Sequence, residues 1–198
     1  MKYSLLFGLY LSPLLGCLLF NIGKRFSEKT VINISLFTSI VPFIFSIIFT
    51  GQLFLYHSIP LEISLVSFTL VQHHYNYTLW IDHNSIVFLF LTHILAIFVI
   101  KYSYTYLNLE KGFQRFFSTI QLFIFGMYVL SLAGSLDIFF AGWEIVGLSS
   151  FLLIAFYRAH NRSLINAWRV FNIYRVCDLG LLIGAVISQA FFHDANRF

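Results

Sequence analysis

Residues 135–157, SLDIFFAGWEIVGLSSFLLIAFY, decide the fold, because this stretch is long and apolar enough to cross a lipid bilayer as one helix. Well inside it lies a carboxyl group, that of Glu144. At about 1.5 Å per residue, Glu144 is about 12 Å from the start of the helix. An ionisable side chain inside a bilayer costs roughly 2.5–3.5 kcal/mol on insertion scales, so such residues are rare and usually functional. The stretch therefore predicts a membrane helix that takes part in ion or proton transfer.

The overall composition also indicates an integral membrane protein. Of 198 residues, 59% are hydrophobic and 10% are charged, whereas a soluble domain has about 25% charged residues. The net charge of +4 does not indicate nucleic-acid binding, because the basic residues lie mostly between apolar segments. Cys17 and Cys177 have neither the spacing of a disulfide pair nor that of a metal site, so we expect two structural thiols and no metal.

Six apolar segments are each long enough to span a bilayer. Two of them contain a proline, Pro13 and Pro42, which membrane helices tolerate because neighbouring groups satisfy the freed backbone atoms. The sequence therefore predicts an all-α, polytopic bundle forming one membrane domain over residues 1–198. The predicted helices cover residues 3–23, 31–56, 84–107, 116–133, 136–157 and 164–193.

Residues 57–83 have a different pattern. The segment 62–71, EISLVSFTLV, alternates polar and apolar residues and is rich in β-branched ones, and residues 73–77 are polar. This pattern favours a short extramembrane β-hairpin between helices two and three. We expect His73, His74 and His83 to be exposed loop histidines and not metal ligands.

The distribution of basic residues predicts the orientation in the membrane. Six spans place alternate links on opposite sides, and links one, three and five with their flanks hold roughly nine basic residues by the loop-counting rule. The opposite side has Lys2 and Arg197. Both termini are therefore predicted to face outward, in a bacterial inner membrane or a mitochondrial inner membrane. The basic residues of the inner side are Lys24, Arg25, Lys29, Lys101, Lys111, Arg115, Arg158, Arg162 and Arg169.

Glu144 is the candidate proton-transfer residue. Burial favours the neutral form of a carboxyl group and a nearby cation favours the ionised form, so a carboxyl between those influences can bind and release a proton. The alternative is a static ion pair or a hydrogen bond to a helix backbone. We expect neighbouring Trp143 to contribute packing, and the small residues Gly142, Gly147, Ser149 and Ser150 to let another helix approach closely.

The sixth helix has two further candidates, Arg175 and Asp178. They are three residues apart and so share one face of the helix. The two alternatives are a structural salt bridge between them and participation of Asp178 in proton transfer. Arg175 is expected to act by pairing, because a guanidinium group stays charged. His93, midway along helix three, is a possible proton relay, although a hydrogen-bonded packing role is the alternative.

Four motifs, in order, resemble a known family. Residues 140–157, FAGWEIVGLSSFLLIAFY, resemble the GWEGVGLxSYLLIGFY signature of the antiporter-like subunit 5 (subunit L) of respiratory complex I. Residues 112–117, GFQRFF, resemble its GYxRFF motif, and residues 82–85, DHNS, resemble its DGLS motif. Residues 167–182, AWRVFNIYRVCDLGLL, resemble its AFxxNRxGDxxLL segment. The resemblance covers residues 82–182.

This resemblance implies a proton-translocating membrane subunit of an NADH:quinone oxidoreductase. It implies that Glu144, Arg175 and Asp178 match the family's intramembrane Glu, Arg and Asp. In the family, the Glu pairs with a Lys on a later broken helix, and this sequence matches at most the first six spans. The resemblance also implies no cofactor on this chain. Quinone, NAD, flavin and iron–sulfur clusters are expected on partner subunits of a multi-subunit complex.

The motifs depart from the complex I pattern at three positions. Ile145 replaces a Gly, Tyr174 replaces an Asn and Cys177 replaces a Gly. The IYR step at 173–175 is closer to relatives outside complex I. The alternative function is therefore a subunit of a proton-coupled cation antiporter or of an inorganic-carbon (CO2/bicarbonate) uptake system. A third hypothesis is a structural scaffold in which the polar groups only fix the helix register.

Overall fold

The computed structural model contains six helices and one two-stranded sheet in the part of the chain that it describes. The helices are α1 (Lys2–Ile22), α2 (Glu28–Tyr56), α3 (His83–Tyr106), α4 (Phe113–Ser131), α5 (Leu136–Ile154) and α6 (Asn161–Phe192). The strands, between α2 and α3, are β1 (Leu61–Leu70) and β2 (His73–Ile81). The structure describes the backbone except at residues 1, 23–25, 57–59, 71–72, 158–160 and 193–198, and it describes the side chains except at those residues and at 2–10, 52–56, 65–76 and 188–192.

The helices have the length and composition of membrane spans. Among the described residues, the five helices α2 to α6 are each long and apolar enough to cross a bilayer, and the described side chains of α1 form a shorter apolar segment, Leu11–Ile22. The predicted fold class, an all-α bundle with one β-hairpin, is confirmed. The chain is an integral membrane protein.

Helix α4 forms the centre of the bundle. It contacts α1, α2, α3 and α5, whereas α6 contacts α5 in the described part of the chain. The α4 side chains Phe117, Ile124 and Tyr128 are almost fully buried. Lipid tails are as apolar as these side chains, so the packing of closely fitting surfaces, more than exclusion from water, stabilises such a bundle.

Two glycines allow α4 and α5 to approach closely. A Cβ atom on Gly142 would lie 2.7 Å from the backbone nitrogen of Leu130, and one on Gly126 would lie 2.8 Å from Cγ2 of Ile145. Gly142 therefore lets another helix approach closely, as predicted. Gly147 does not have this role in the described structure, because a Cβ atom there would meet no atom within 4 Å.

The proline in α2 is compensated by a neighbouring helix, as membrane helices require. Pro42 has no N–H group, so the carbonyl of Thr38 one turn earlier loses its helical donor. The hydroxyl of Ser12 on α1 donates to this carbonyl at 3.2 Å. A side chain of a second helix thus satisfies the backbone group that the proline frees.

The hairpin is attached to the turn between α4 and α5. Strands β1 and β2 pair antiparallel, from Leu61 opposite Ile81 to Leu70 opposite His73. The N–H of Trp80 donates to the carbonyl of Leu132 at 3.0 Å, and the N–H of Gly134 donates to the carbonyl of Thr78 at 2.9 Å. His73 and His74 lie in β2 and not in a loop, because the pairing continues to the start of that strand.

Helix α3 begins at a carboxylate cap directly after the hairpin. The Asp82 side chain accepts a hydrogen bond from the N–H of Ser85 at 2.7 Å, which satisfies one of the free donors of the first turn. Partial burial raises the pKa of Asp82, but the hydrogen bonds from Ser85, a bond to its own backbone and the nearby His83 together bring the pKa below its ordinary value.

Alternate links lie at opposite ends of the bundle. At one end, the N–H of Phe26 donates to Gln114 Oε1 at 3.0 Å, and the N–H of Leu109 donates to Glu28 Oε1 at 3.1 Å. The first bond joins the link before α2 to the start of α4, and the second joins the link before α4 to the start of α2. The hairpin and the turn after α4 meet at the other end. The bundle therefore has the alternation on which the predicted orientation depends, and the orientation itself stays a prediction.

Candidate functional site

Helices α5 and α6 bring three predicted site residues into contact. Arg175 Nη1 on α6 lies 2.7 Å from both carboxylate oxygens of Glu144 on α5. The same nitrogen lies 3.4 Å from Asp178 Oδ2. One guanidinium nitrogen is therefore shared between two carboxylates on different helices.

The closer partner of Arg175 is on the other helix. The sequence left open a salt bridge between Arg175 and Asp178, which share a face of α6. That contact is present at 3.4 Å, but the contact with Glu144 is shorter at 2.7 Å. Since a charge-assisted hydrogen bond is typically 2.7–2.9 Å long, Glu144 is the principal counterion in this structure.

Asp178 is the most buried member of the site and has a second donor. Its side chain is 9% exposed, and its Oδ1 accepts a hydrogen bond from the indole N–H of Trp143 at 2.9 Å. Trp143 was expected to contribute packing, and the structure gives it a hydrogen bond as well. A buried indole N–H usually finds an acceptor, but the acceptor lies on another helix, so the sequence did not show which group it would be.

Phe171 is a further residue that the sequence analysis did not single out. The guanidinium carbon of Arg175 lies 4.9 Å from the centre of the Phe171 ring, within the range of a cation–π interaction. The two residues are four apart on α6 and therefore share a face. Phe171 thus helps to fix the position of the guanidinium group.

The site lies at the edge of the bundle and carries a net charge. Two carboxylates and one guanidinium give a net charge of −1 when all three are ionised. The side chain of Arg175 is 45% exposed and that of Glu144 is 25% exposed. Three neighbouring α6 side chains that are also exposed, Ile173, Val176 and Leu179, are apolar. A small cleft between α5 and α6 is lined by all three charged residues and by Trp143.

His93 lies at a different helix interface. Its ring stacks on that of Tyr128 from α4, with 4.9 Å between the centroids, and it also packs against Phe43 from α2. Nδ1 lies 2.6 Å from the carbonyl oxygen of Leu89, one turn earlier on α3. The structure therefore does not bring His93 to the Glu144 site, and its relay role stays a prediction.

The cysteines do not form a disulfide with each other, and both thiols are free. Cys17 is buried 3.4 Å from the hydroxyl of Ser118, whereas Cys177 is exposed on α6. In the described part of the chain, no three His, Cys, Asp or Glu side chains are grouped closely enough to hold a metal ion.

Two family models match this chain, and one of them contains the whole Glu144 site. Residues 68–117 match the family model described as NADH-ubiquinone oxidoreductase (complex I), chain 5 N-terminus. Residues 133–195, which include the three charged site residues, match the model described as NADH:quinone oxidoreductase/Mrp antiporter, transmembrane. The two matches are consecutive and together cover more than half of the chain. The chain belongs to the antiporter-like subunit 5 (subunit L) family of complex I, as its N-terminal part.

Individual members of this family are similar along much of the chain. The NADH-ubiquinone oxidoreductase chain 5 of Paramecium tetraurelia is 34% identical over 121 residues, which are 61% of this chain and 21% of that protein. The NADH-quinone oxidoreductase subunit L of Pseudomonas aeruginosa is 31% identical over 195 residues, or 94% of this chain and 31% of that protein. The chain thus spans about a fifth to a third of the length of these relatives.

A solved structure shows the same fold. The structure of the membrane-bound sulfane sulfur reductase, an archaeal respiratory membrane complex, contains a chain similar to this one with a TM-score of 0.77 and 19% sequence identity. The similarity covers 96% of this chain and 28% of that chain. It shows that a chain of that complex has the same fold over nearly the whole length of this chain.

Proposed function

We propose that this chain is the N-terminal part of a proton-translocating membrane subunit of an NADH:quinone oxidoreductase, with Glu144 as its protonatable site. The observation that supports this proposal is the contact of one guanidinium group with two carboxylates in a membrane bundle. The subunit would couple electron transport on other chains to proton transfer on this one. The names of its family members, which are chains or subunits of NADH–quinone oxidoreductases, point the same way.

The charge balance of the site favours the binding of one proton. With all three groups ionised the site has a net charge of −1, which is costly inside a bilayer. Arg175 cannot release its proton, so the charge is neutralised when a carboxyl group gains one. Glu144 and Asp178 are therefore the groups that exchange protons, and Arg175 is the permanent positive charge that pairs with them.

The geometry suggests how Arg175 would control Glu144. Arg175 Nη1 already contacts both carboxylates, at 2.7 Å and 3.4 Å. A small movement toward Asp178 would remove the counterion of Glu144, and an unpaired carboxylate at that depth favours protonation. Movement of the guanidinium group back toward Glu144 would favour release of the proton. Trp143 holds Asp178 in place during this exchange through the indole N–H bond.

The site needs further protein around it. A guanidinium group that is 45% exposed on a helix with an apolar surface is poorly solvated by lipid, so other helices or water must cover it. We infer that further membrane helices of the complex pack against α6. Quinone, NAD, flavin and iron–sulfur clusters would be bound by partner subunits, where the redox reaction would take place.

A second function is favoured by one observation. The family model that matches residues 133–195 is described as shared between NADH:quinone oxidoreductase and the Mrp antiporter. The same site would then exchange protons for a cation, with no redox partner. Uptake of inorganic carbon is a further possibility for the same proton site.

The substitution Glu144→Gln tests the proposal, because it keeps the size of the side chain and one acceptor oxygen but removes its titration. In vesicles containing the assembled complex, we expect NADH-driven proton translocation to be abolished while the complex still assembles. The matched control is Glu110→Gln, at an exposed position in the link before α4, which should translocate at the normal rate. Normal translocation in Glu144→Gln would contradict the proposal. Proton exchange driven by a sodium gradient, without NADH, would support the antiporter alternative.

A further inference from the structure

The core between α2, α3 and α4 contains polar side chains that are as buried as the apolar ones. His93 on α3 is 1% exposed and Tyr128 on α4 is 2% exposed. Their rings stack with centroids 4.9 Å apart. The two side chains therefore form one packing contact between α3 and α4, whereas the Glu144 site lies between α5 and α6.

The hydrogen bonds at this contact leave one acceptor and one donor unused. His93 Nδ1 is 2.6 Å from the carbonyl oxygen of Leu89. Because a carbonyl oxygen only accepts, Nδ1 carries the proton, and Nε2 of the neutral ring is an acceptor. Neither His93 Nε2 nor the hydroxyl of Tyr128 has a hydrogen-bond partner among the described residues.

A second pair of buried polar groups lies further along the same side of α4. Gln121 Nε2 donates to the carbonyl oxygen of Ser35 on α2 at 3.2 Å. The remaining Gln121 oxygen and the Ser35 hydroxyl have no partner in the described structure, and both residues are fully buried. Gln121 is seven residues, about two helical turns, before Tyr128. Unpaired polar atoms are therefore present at two positions along this side of α4.

Unpaired buried polar atoms are rare in native proteins and need an explanation. Water is the ligand whose size and chemistry fit, because one molecule can accept a hydrogen bond from a phenol and donate one to an imidazole nitrogen. We propose that His93 Nε2 and the Tyr128 hydroxyl hold internal water in the core between α2, α3 and α4. This site is distinct from the Glu144 site and does not depend on the proposed function.

The bound water would also give His93 a means of exchanging protons. A histidine ring is the side chain that gains and loses a proton most readily near neutral pH. Through Nε2 and a hydrogen-bonded water, the ring has the acceptor that a relay requires. A relay role of His93 therefore requires water at Nε2, whereas a packing role does not.

Solid-state NMR on the full chain in lipid bilayers, with ¹⁵N-labelled histidine, tests this proposal directly. The signal of His93 is assigned by its loss in His93→Gln. We expect Nδ1 to be protonated, Nε2 to be unprotonated, and magnetisation to pass from water to this ring. We expect Tyr128→Phe, which removes only the hydroxyl, to shift the Nε2 resonance by removing one partner of the water.

The matched control is Tyr102→Phe, which removes the hydroxyl of an exposed tyrosine on α3 and should leave the Nε2 resonance unchanged. Circular dichroism of each variant shows whether the bundle is intact. Absence of water contact at the His93 ring overturns the proposal. An Nε2 resonance that is the same in Tyr128→Phe as in Tyr102→Phe also overturns it. Because no step involves Glu144, this result is independent of the translocation assay.

Discussion

Arg175 lies between two carboxylates, and the distances show that they are not equivalent. Glu144, across the helix interface, is at 2.7 Å, while Asp178, on the same helix, is at 3.4 Å and has an indole N–H as a second donor. Asp178 therefore has another partner when the guanidinium group moves away, whereas no second donor to Glu144 is seen in the described structure. We therefore expect movement of the Arg175 guanidinium group to affect the protonation of Glu144 more than that of Asp178.

A double-mutant cycle on Arg175 and Glu144 measures this pairing. Arg175→Gln leaves two carboxylates without a counterion, so we expect it to lower the midpoint of thermal unfolding more than Glu144→Gln does. In the double variant, the loss should be smaller than the sum of the single losses, with a coupling of about 0.5–3 kcal/mol. As a control, Arg175→Gln combined with Glu110→Gln should be additive. If the losses for Arg175 and Glu144 were additive, their contact would contribute nothing to the stability of the bundle.

The sequence identified the charged site residues but not all of their partners. Glu144, Arg175 and Asp178 stand out because charge is rare in apolar segments. Which carboxylate Arg175 prefers depends on how α5 and α6 cross, and helical spacing describes only pairs within one helix. Trp143 and Phe171 are ordinary apolar residues by pattern, so their contacts with Asp178 and Arg175 appear only in three dimensions.

At the scale of the elements, the contact between α4 and α5 includes a glycine on α5, Gly142, with no room for a side chain. A Cβ atom on Gly142 would lie 2.7 Å from a backbone nitrogen of α4, and the backbone cannot move without separating the helices. Since α5 carries Glu144, this contact fixes the carboxyl group relative to the bundle.

We expect Gly142→Ala to destabilise the bundle for this reason, by about 1–3 kcal/mol as for other overpacked sites. Gly147→Ala is the matched control on the same helix, because a Cβ atom there would meet no atom within 4 Å. Thermal unfolding in detergent should therefore show a lower midpoint for Gly142→Ala and an unchanged or raised midpoint for Gly147→Ala. Equal midpoints in the two variants would contradict the close approach of α4 and α5.

The elements were largely predictable because their signals are local. A membrane span is indicated by about 20 consecutive apolar residues, and the β-hairpin is indicated by alternation over a segment too polar to span. The role of Gly147 was misjudged because the sequence does not show which face of α5 meets α4. The attachment of β2 to the turn at Gly134 was likewise not visible, since it joins backbone groups far apart in sequence.

At the scale of the whole molecule, the two ends of the bundle differ in charge and in structure. The start of α2 and the link before α4, which carry Lys29 and Lys111, lie at one end, and the hairpin and the α4–α5 turn lie at the other. This separation agrees with the alternation of links that the sequence predicts. It also means that one labelled position at each end is enough to determine the orientation.

Single cysteines test the predicted orientation in a background with Cys17→Ser and Cys177→Ser. Glu62→Cys lies in the hairpin and Lys111→Cys lies in the link before α4, and both positions are exposed. In intact cells, a membrane-impermeant maleimide should label Glu62→Cys and not Lys111→Cys, and inverted membrane vesicles should give the opposite result. Labelling of Lys111→Cys from outside would contradict an arrangement with both termini outside.

The central claim is that Glu144 changes its protonation state inside the membrane, and infrared difference spectroscopy of the chain in lipid bilayers tests it most directly. On a pH step or an imposed proton gradient, we predict a band of a protonated carboxyl group that appears and disappears reversibly and is lost in Glu144→Gln. A spectrum with no such band at any accessible pH or membrane voltage, or with the same band in Glu144→Gln, would contradict the account.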